Sequence, residues 1–199
     1  RSTMESLGVL PGGASSKANA ISADGAAVTG FSDSASGQRA FLWTRNAGMT
    51  DLGDIPGRTL PEGDAISADG SVVVGHDATG AVLWTNATGM VDLHTYLASR
   101  GVNLTGWTLT ACNGISADRT ALAGSGRLNG AARGWIVRGL PPITCAADFD
   151  ASGTADVPDI FAFLAAWFAH ALPADFDKNG VIEVPDIFAF LSAWFAGCP

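Results

Sequence analysis

The chain has 199 residues, 47% of them hydrophobic, with 25 glycines, few lysines and a formal net charge of −8 at pH 7. This length and composition suit one or two globular domains rich in tight turns, and the lack of any basic stretch argues against nucleic acid as a partner. With no signal peptide and no apolar run of about 18 residues there is no membrane span, and a chain opening on Arg1 reads as a processed or truncated piece.

Residues 1–140 repeat with a period of 45 to 49. Ala20-Ile-Ser-Ala-Asp-Gly25, Ala65-Ile-Ser-Ala-Asp-Gly70 and Gly114-Ile-Ser-Ala-Asp-Arg119 mark three copies. After each comes a β-rich run, Ala26–Gly30, Ser71–Gly75 and Thr120–Gly124, read as a strand leaving a turn. A third strand follows at Ala40-Phe-Leu-Trp-Thr44, Ala81-Val-Leu-Trp-Thr85 and Gly134-Trp-Ile-Val137, and a fourth at Gly48–Leu52 and Gly89–Leu93. Four strands at this period make one propeller blade. Met4-Glu-Ser-Leu-Gly-Val-Leu-Pro-Gly12 matches Met49–Gly57, so the chain is expected to begin on the last strand of an earlier repeat. Three repeats are too few to close a propeller of four to eight blades, which agrees with truncation.

These Ile-Ser-Ala-Asp-Gly and Ala-Phe-Leu-Trp patterns resemble the HAF-family extracellular repeat over about residues 3–138. Asp24, Asp69 and Asp118 recur at one turn position in every copy, where Asp-Gly serves turn chemistry and not catalysis. Trp43 and Trp84 are strand-centre residues expected in the core. Trp107 lies in an irregular insertion, Thr95–Leu109, outside the repeat, and is the candidate for a binding surface such as one for polysaccharide. Cys112 reads as a small buried residue.

Gly139–Thr144, with adjacent prolines, reads as a stiff linker. The domain division is therefore a β-repeat region over 1–140, a linker over 141–144 and a separate module over 145–199. Cys145 and Cys198 bracket that module, a placement that suggests one disulfide clasp and with it an oxidising compartment.

Inside the brackets a twelve-residue pattern is written twice, Asp148–Asp159 and Asp175–Asp186. Oxygen-bearing side chains fall at loop positions 1, 3, 5, 9 and 12: Asp148, Asp150, Ser152, Asp156 and Asp159, then Asp175, Asp177, Asn179, Glu183 and Asp186. Gly153 and Gly180 occupy position 6, where a calcium loop turns sharply, and Thr154 and Val181 occupy position 7, which coordinates through its backbone carbonyl. All eight acids beyond residue 144 sit at ligand positions, opposed by Lys178 alone, a local charge of −7; residues 1–144 carry eleven acids and ten bases. The spacing predicts two Ca2+ ions, and the mutual repulsion of the carboxylates predicts a segment poorly folded without them.

Each loop leads into a helix, Ile160–Ala169 and Ile187–Ala196, with Pro158 and Pro185 in the first turn, where the missing N–H is tolerated. Ile160, Phe163, Leu164, Trp167 and Phe168 recur at helical spacing, and Phe161 and Ala165 widen the stripe until the helix is apolar nearly all round. Such helices are expected to pack on each other.

The tandem loop and helix resembles a dockerin, the calcium-dependent module that docks secreted proteins onto cohesin receptors, and in particular the planctomycete type with Ala-Asp-Phe-Asp, Leu-Ala-Ala-Trp-Phe-Ala and a terminal Gly-Cys. Loop positions 10 and 11, the cohesin-recognition pair of that family, are here Val157-Pro158 and Val184-Pro185. The resemblance implies a non-catalytic protein, secreted or attached to the cell surface, that anchors to a cohesin-like or cell-surface partner. The alternative is the C-terminal piece of a polysaccharide-degrading glycoside hydrolase whose catalytic domain lies upstream. A calmodulin-type sensor is disfavoured, since no helix precedes each loop and no Met-rich groove exists.

Overall fold

A computed structural model describes residues 4–86, 88–140, 147–150, 155–177 and 179–196. The chain divides into two compact units, Arg1–Ile143 and Thr144–Pro199. Among the described residues it holds three antiparallel sheets and three short α-helices, and no sheet closes into a barrel.

In the first unit the strands run in sequence order as antiparallel meanders. Sheet 1 is β1 (Ser16–Ile21), β2 (Ala27–Ser34), β3 (Gly37–Thr44) and β4 (Gly48–Asp51). Sheet 2 is β5 (Glu62–Ile66), β6 (Val72–His76), β7 (Ala81–Thr85) and β8 (Gly89–Asp92), and sheet 3 is β9 (Trp107–Ile115), β10 (Leu122–Leu128) and β11 (Ala131–Val137). The first two copies thus have the four strands expected of them. Residues 4–10, expected to be a strand, form none: a strand exists only where a neighbour completes its ladder, and none stands beside this segment among the described residues.

Strand alternation decides the packing. Val73 and Trp84 face sheet 1, where they meet Ala27, Ala40, Leu42 and Leu52, and Ile66 joins them. Val72, Val74 and Leu83 point the other way, toward Leu109, Cys112, Leu122 and Trp135 of sheet 3. Sheet 2 is covered on both faces, which is why its central strands, β6 and β7, read as nearly unbroken apolar runs. Trp84 lies in the core as expected, whereas Trp43 on sheet 1 is only half-buried.

The repeated turns are built alike. Ser22 Oγ donates to Asp24 Oδ1, which also accepts from Ala26 N, while Ala27 N donates back to Ser22 Oγ, at 2.6, 2.9 and 2.9 Å. Ser67, Asp69 and Val72 repeat this set, as do Ser116, Asp118 and Ala121. Gly25 and Gly70 take the left-handed conformation the turn requires, and in the third copy Arg119 takes it at φ 59°. The arginine offsets that strain by reaching the neighbouring turn, where its Nη1 donates to Asp69 Oδ2 at 2.8 Å and Ser71 Oγ at 3.1 Å. Turn 1 meets turn 2 through Ala23 N and Ala68 O at 2.9 Å.

The insertion expected to be irregular contains a helix, α1 (Leu93–Ser99), which also takes Leu93 out of the expected fourth strand. Asp92 caps it by accepting from Thr95 N at 2.7 Å, and Leu93 and Leu97, one turn apart, are fully buried. Trp107 opens β9 half-buried against the core, in a cleft with Leu104, Trp135 and Ile136. Leu140, read as part of the linker, is buried in the same core and donates its N–H to Thr120 O.

Candidate metal centres

The second unit holds helices α2 (Val157–Phe168) and α3 (Val184–Ala196), with a 3-10 turn, Leu172–Ala174, between them. Both helices start at the valine before Pro158 and Pro185, so the prolines lie in the first turn as expected, where the missing N–H is tolerated. Their contact is a stacked pair, Phe163 on Phe190, with centroids 4.3 Å apart and both rings fully buried. Phe149 and Phe176, at position 2 of each loop, meet these rings edge-on at 5.4 to 6.1 Å. The aromatic cluster therefore ties the start of each loop to the helix pair.

On that core stand two carboxylate trios, Asp148, Asp150 and Asp159, and Asp175, Asp177 and Asp186; one oxygen from each member lies within 4.8 Å of the others. The last aspartate of each loop is fully buried and stitches the loop closed. Asp159 accepts from Asp150 N at 2.9 Å and Asp156 N at 2.8 Å. Asp186 accepts from Phe176 N, Asp177 N and Glu183 N at 2.7, 3.1 and 2.8 Å. Donation from the Glu183, Asp177 and Phe176 amides outweighs burial and holds the Asp186 carboxyl below the usual carboxylate range, so it stays ionised beside two other acids.

The second loop is the more fully described. Gly180 turns it at φ 89° and donates to Asp175 Oδ2 at 2.9 Å. Asn179 bonds Asp177 through both backbone and side chain at 3.0 Å, and its Nδ2 lies 3.5 Å from Glu183 Oε1, which brings positions 3, 5 and 9 together. The Val181 side chain points to solvent. Asp175 Oδ1 is buried and accepts no hydrogen bond. A carboxylate oxygen shut off from water without a donor is costly unless a cation meets it, and the trio of Asp175, Asp177 and Asp186 offers hard oxygens. The residues fit a metal ion.

In the first loop Asp156 is exposed at the start of α2, and Ser152, Thr154 and Gly153 lie outside the described residues, as do Cys145 and Cys198 with their expected disulfide. Cys112 is fully buried, and burial pushes its thiol up to about 12, as befits a core residue.

Two features escaped the sequence reading. Trp167 Nε1 donates to Glu183 O at 3.1 Å, and Trp194 Nε1 donates to Asp156 O at 2.9 Å, so each helix holds position 9 of the other copy's loop. The signal available was an indole N–H in a packed helix, which needs an acceptor. Second, Phe161 and Phe168, placed on the packing stripe, are 67% and 72% exposed, and Phe188 and Phe195 repeat this on α3. With Val157 and Val184 they form matching outward apolar stripes.

Compared with known proteins, the chain matches no family model and no curated sequence.

Proposed function

We propose that this is a non-catalytic secreted protein whose C-terminal unit binds two calcium ions and, once ordered by them, docks onto a cohesin-like or cell-surface protein. The observation that carries the reading is the pair of carboxylate trios, each anchored on a fully buried aspartate, the second with a buried Asp175 oxygen that accepts no hydrogen bond. Twelve-residue spacing with all-oxygen ligands favours calcium over transition metals, and magnesium would demand a tighter octahedron. The dockerin resemblance supplies the docking half, and the duplicated stripes Val157, Phe161, Phe168 and Val184, Phe188, Phe195 supply a solvent-facing apolar surface on each copy.

Circular dichroism of the whole chain at 222 nm tests the metal half. Helical signal should fall in EDTA and return when two calcium ions per chain are restored, while magnesium restores less. Unchanged helicity in EDTA removes the reading. For docking, Phe161→Ser and Phe188→Ser are introduced separately and together, leaving every carboxylate in place. Either change alone should cost little binding to a panel of purified cohesin domains, since the copies are alike. Both together should cost beyond about 2 kcal/mol.

A further inference from the structure

In an Asn-Gly pair the backbone nitrogen of the glycine can attack the asparagine side chain with little hindrance, because glycine has no Cβ and lets the backbone bend. The chain has three such pairs, Asn113-Gly114, Asn129-Gly130 and Asn179-Gly180. Two are fixed by sheet 3. Gly114 lies within β9, opposite Ala123 of β10. Asn129 and Gly130 form the hairpin turn between β10 and β11, at φ 50° and 83°. That turn is pinned by Asn129 N donating to Gly106 O at 2.8 Å and Arg127 Nη1 donating to Gly130 O at 3.0 Å. The third pair stands in the second carboxylate loop, at positions 5 and 6.

In the closed loop both reacting groups are tied down. The nucleophile, Gly180 N, donates its proton to Asp175 Oδ2 at 2.9 Å. The electrophile, the Asn179 carboxamide, is held at both ends: its oxygen accepts from Val181 N at 2.8 Å, and its nitrogen donates to Asp177 Oδ2 at 3.0 Å. Asp175 and Asp177 belong to one carboxylate trio, so these bonds persist while two like charges are kept together. Without a cation the carboxylates push apart, and nucleophile and electrophile are freed at once. The first loop carries Ser152 at the equivalent position and offers no carboxamide.

We propose that Asn179 is a self-modification site gated by the metal of its own loop, an inference that rests on the two-ion reading above. Once the ion is lost, Gly180 N attacks Asn179 Cγ. The N–Cγ bond forms, the Cγ–Nδ2 bond breaks, and the leaving nitrogen takes up the Gly180 amide proton and departs as ammonia. Water then opens the cyclic imide at either carbonyl, giving aspartate or isoaspartate. Isoaspartate adds a carbon to the main chain between positions 5 and 6, which carries Gly180 N away from Asp175 Oδ2. Loss of calcium is thereby recorded covalently, and the second site is lost while the first is kept.

The test ages the full chain at neutral pH in excess calcium and in EDTA, followed by protease digestion and mass spectrometry. Asn179 should convert at least about tenfold faster in EDTA, a ratio set by how rarely the filled loop opens. Asn113 and Asn129 should convert at one rate in both. When calcium is restored, isoaspartate chains purified by chromatography should bind one ion where fresh chain binds two. Asn179→Ser, aged in EDTA, should recover whatever calcium it bound when fresh. Circular dichroism separates this proposal from its premise. If helicity falls in EDTA yet Asn179 converts equally slowly in both buffers, the proposal is overturned and the metal reading stands; helicity unchanged in EDTA overturns both. Isoaspartate chains that still bind two ions, or wild-type and Asn179→Ser chains that lose calcium equally on ageing, also overturn the proposal.

Discussion

Trp194→Phe tests the reciprocal hold of the two loops in the second unit. The indole N–H of Trp194, on α3, donates to the carbonyl of Asp156, whose side chain stands at position 9 of the first loop. A hydrogen bond of this kind contributes about 1 kcal/mol net. On the proposed reading a cation offsets the repulsion among the carboxylates and fixes the loop against this bond, so its loss appears as metal affinity. About 1 kcal/mol corresponds to about a fivefold weaker first site, with the second site unchanged. Trp167→Phe should do the reverse, since its partner is Glu183 O in the second loop. A calcium titration followed by NMR separates the sites, with the Ala155 and Asp156 amides reporting the first loop and Gly180 and Val181 the second. If Trp194→Phe weakens the loop of its own copy, or both loops equally, the crossed arrangement is wrong.

Two further outcomes concern the first unit. The Asp64 carboxylate, 2.7 Å from His76 Nδ1, raises the His76 pKa against the opposing effect of burial, with Glu62 and Asp77 adding to the field. A raised pKa stabilises the fold fully below the ordinary histidine value of about 6.5, and this is lost as pH rises through the folded value. Asp64→Asn should therefore lower the urea midpoint of the sheets more at about pH 5.5 than at about pH 8; an equal loss at both would refute the pairing. Cys112, buried with its pKa pushed up to about 12, should stay unreactive toward Ellman's reagent at about pH 8 until the sheets unfold, and rapid labelling of the native chain at this residue would contradict its burial.

What was legible in the sequence depended on how local the physics is. Asp24, Asp69 and Asp118 could be assigned to turns because each accepts from the backbone N–H two residues on. The strands of sheets 1 and 2 followed from alternation and repetition. Helix α1 was hidden because Asp92 and Leu93 continue the repeated strand pattern, and only the N-cap bond to Thr95 and the burial of Leu97 redirect them. At the carboxylate trios, ligand spacing is itself a local property, so the residues brought together could be named in advance. The outward turn of Phe161 and Phe168 could not, since a helix apolar all round does not say which side finds a partner.

The remaining misses share one cause, which is that a repeat leaves its bonds to be completed by its neighbour. Arg119 occupies a left-handed position where the other copies have glycine, and by itself that costs energy; it is explicable only by Asp69 and Ser71 of the preceding turn. Ile21, Ile66 and Ile115 are one residue in the repeat, yet Ile21 is mostly exposed and Ile66 buried, because burial is conferred by the sheet before. Trp167 and Trp194 likewise complete each other's loop. Stability in such an architecture resides at junctions between copies and hardly at all within one. A change at a junction should therefore be felt in the adjacent copy.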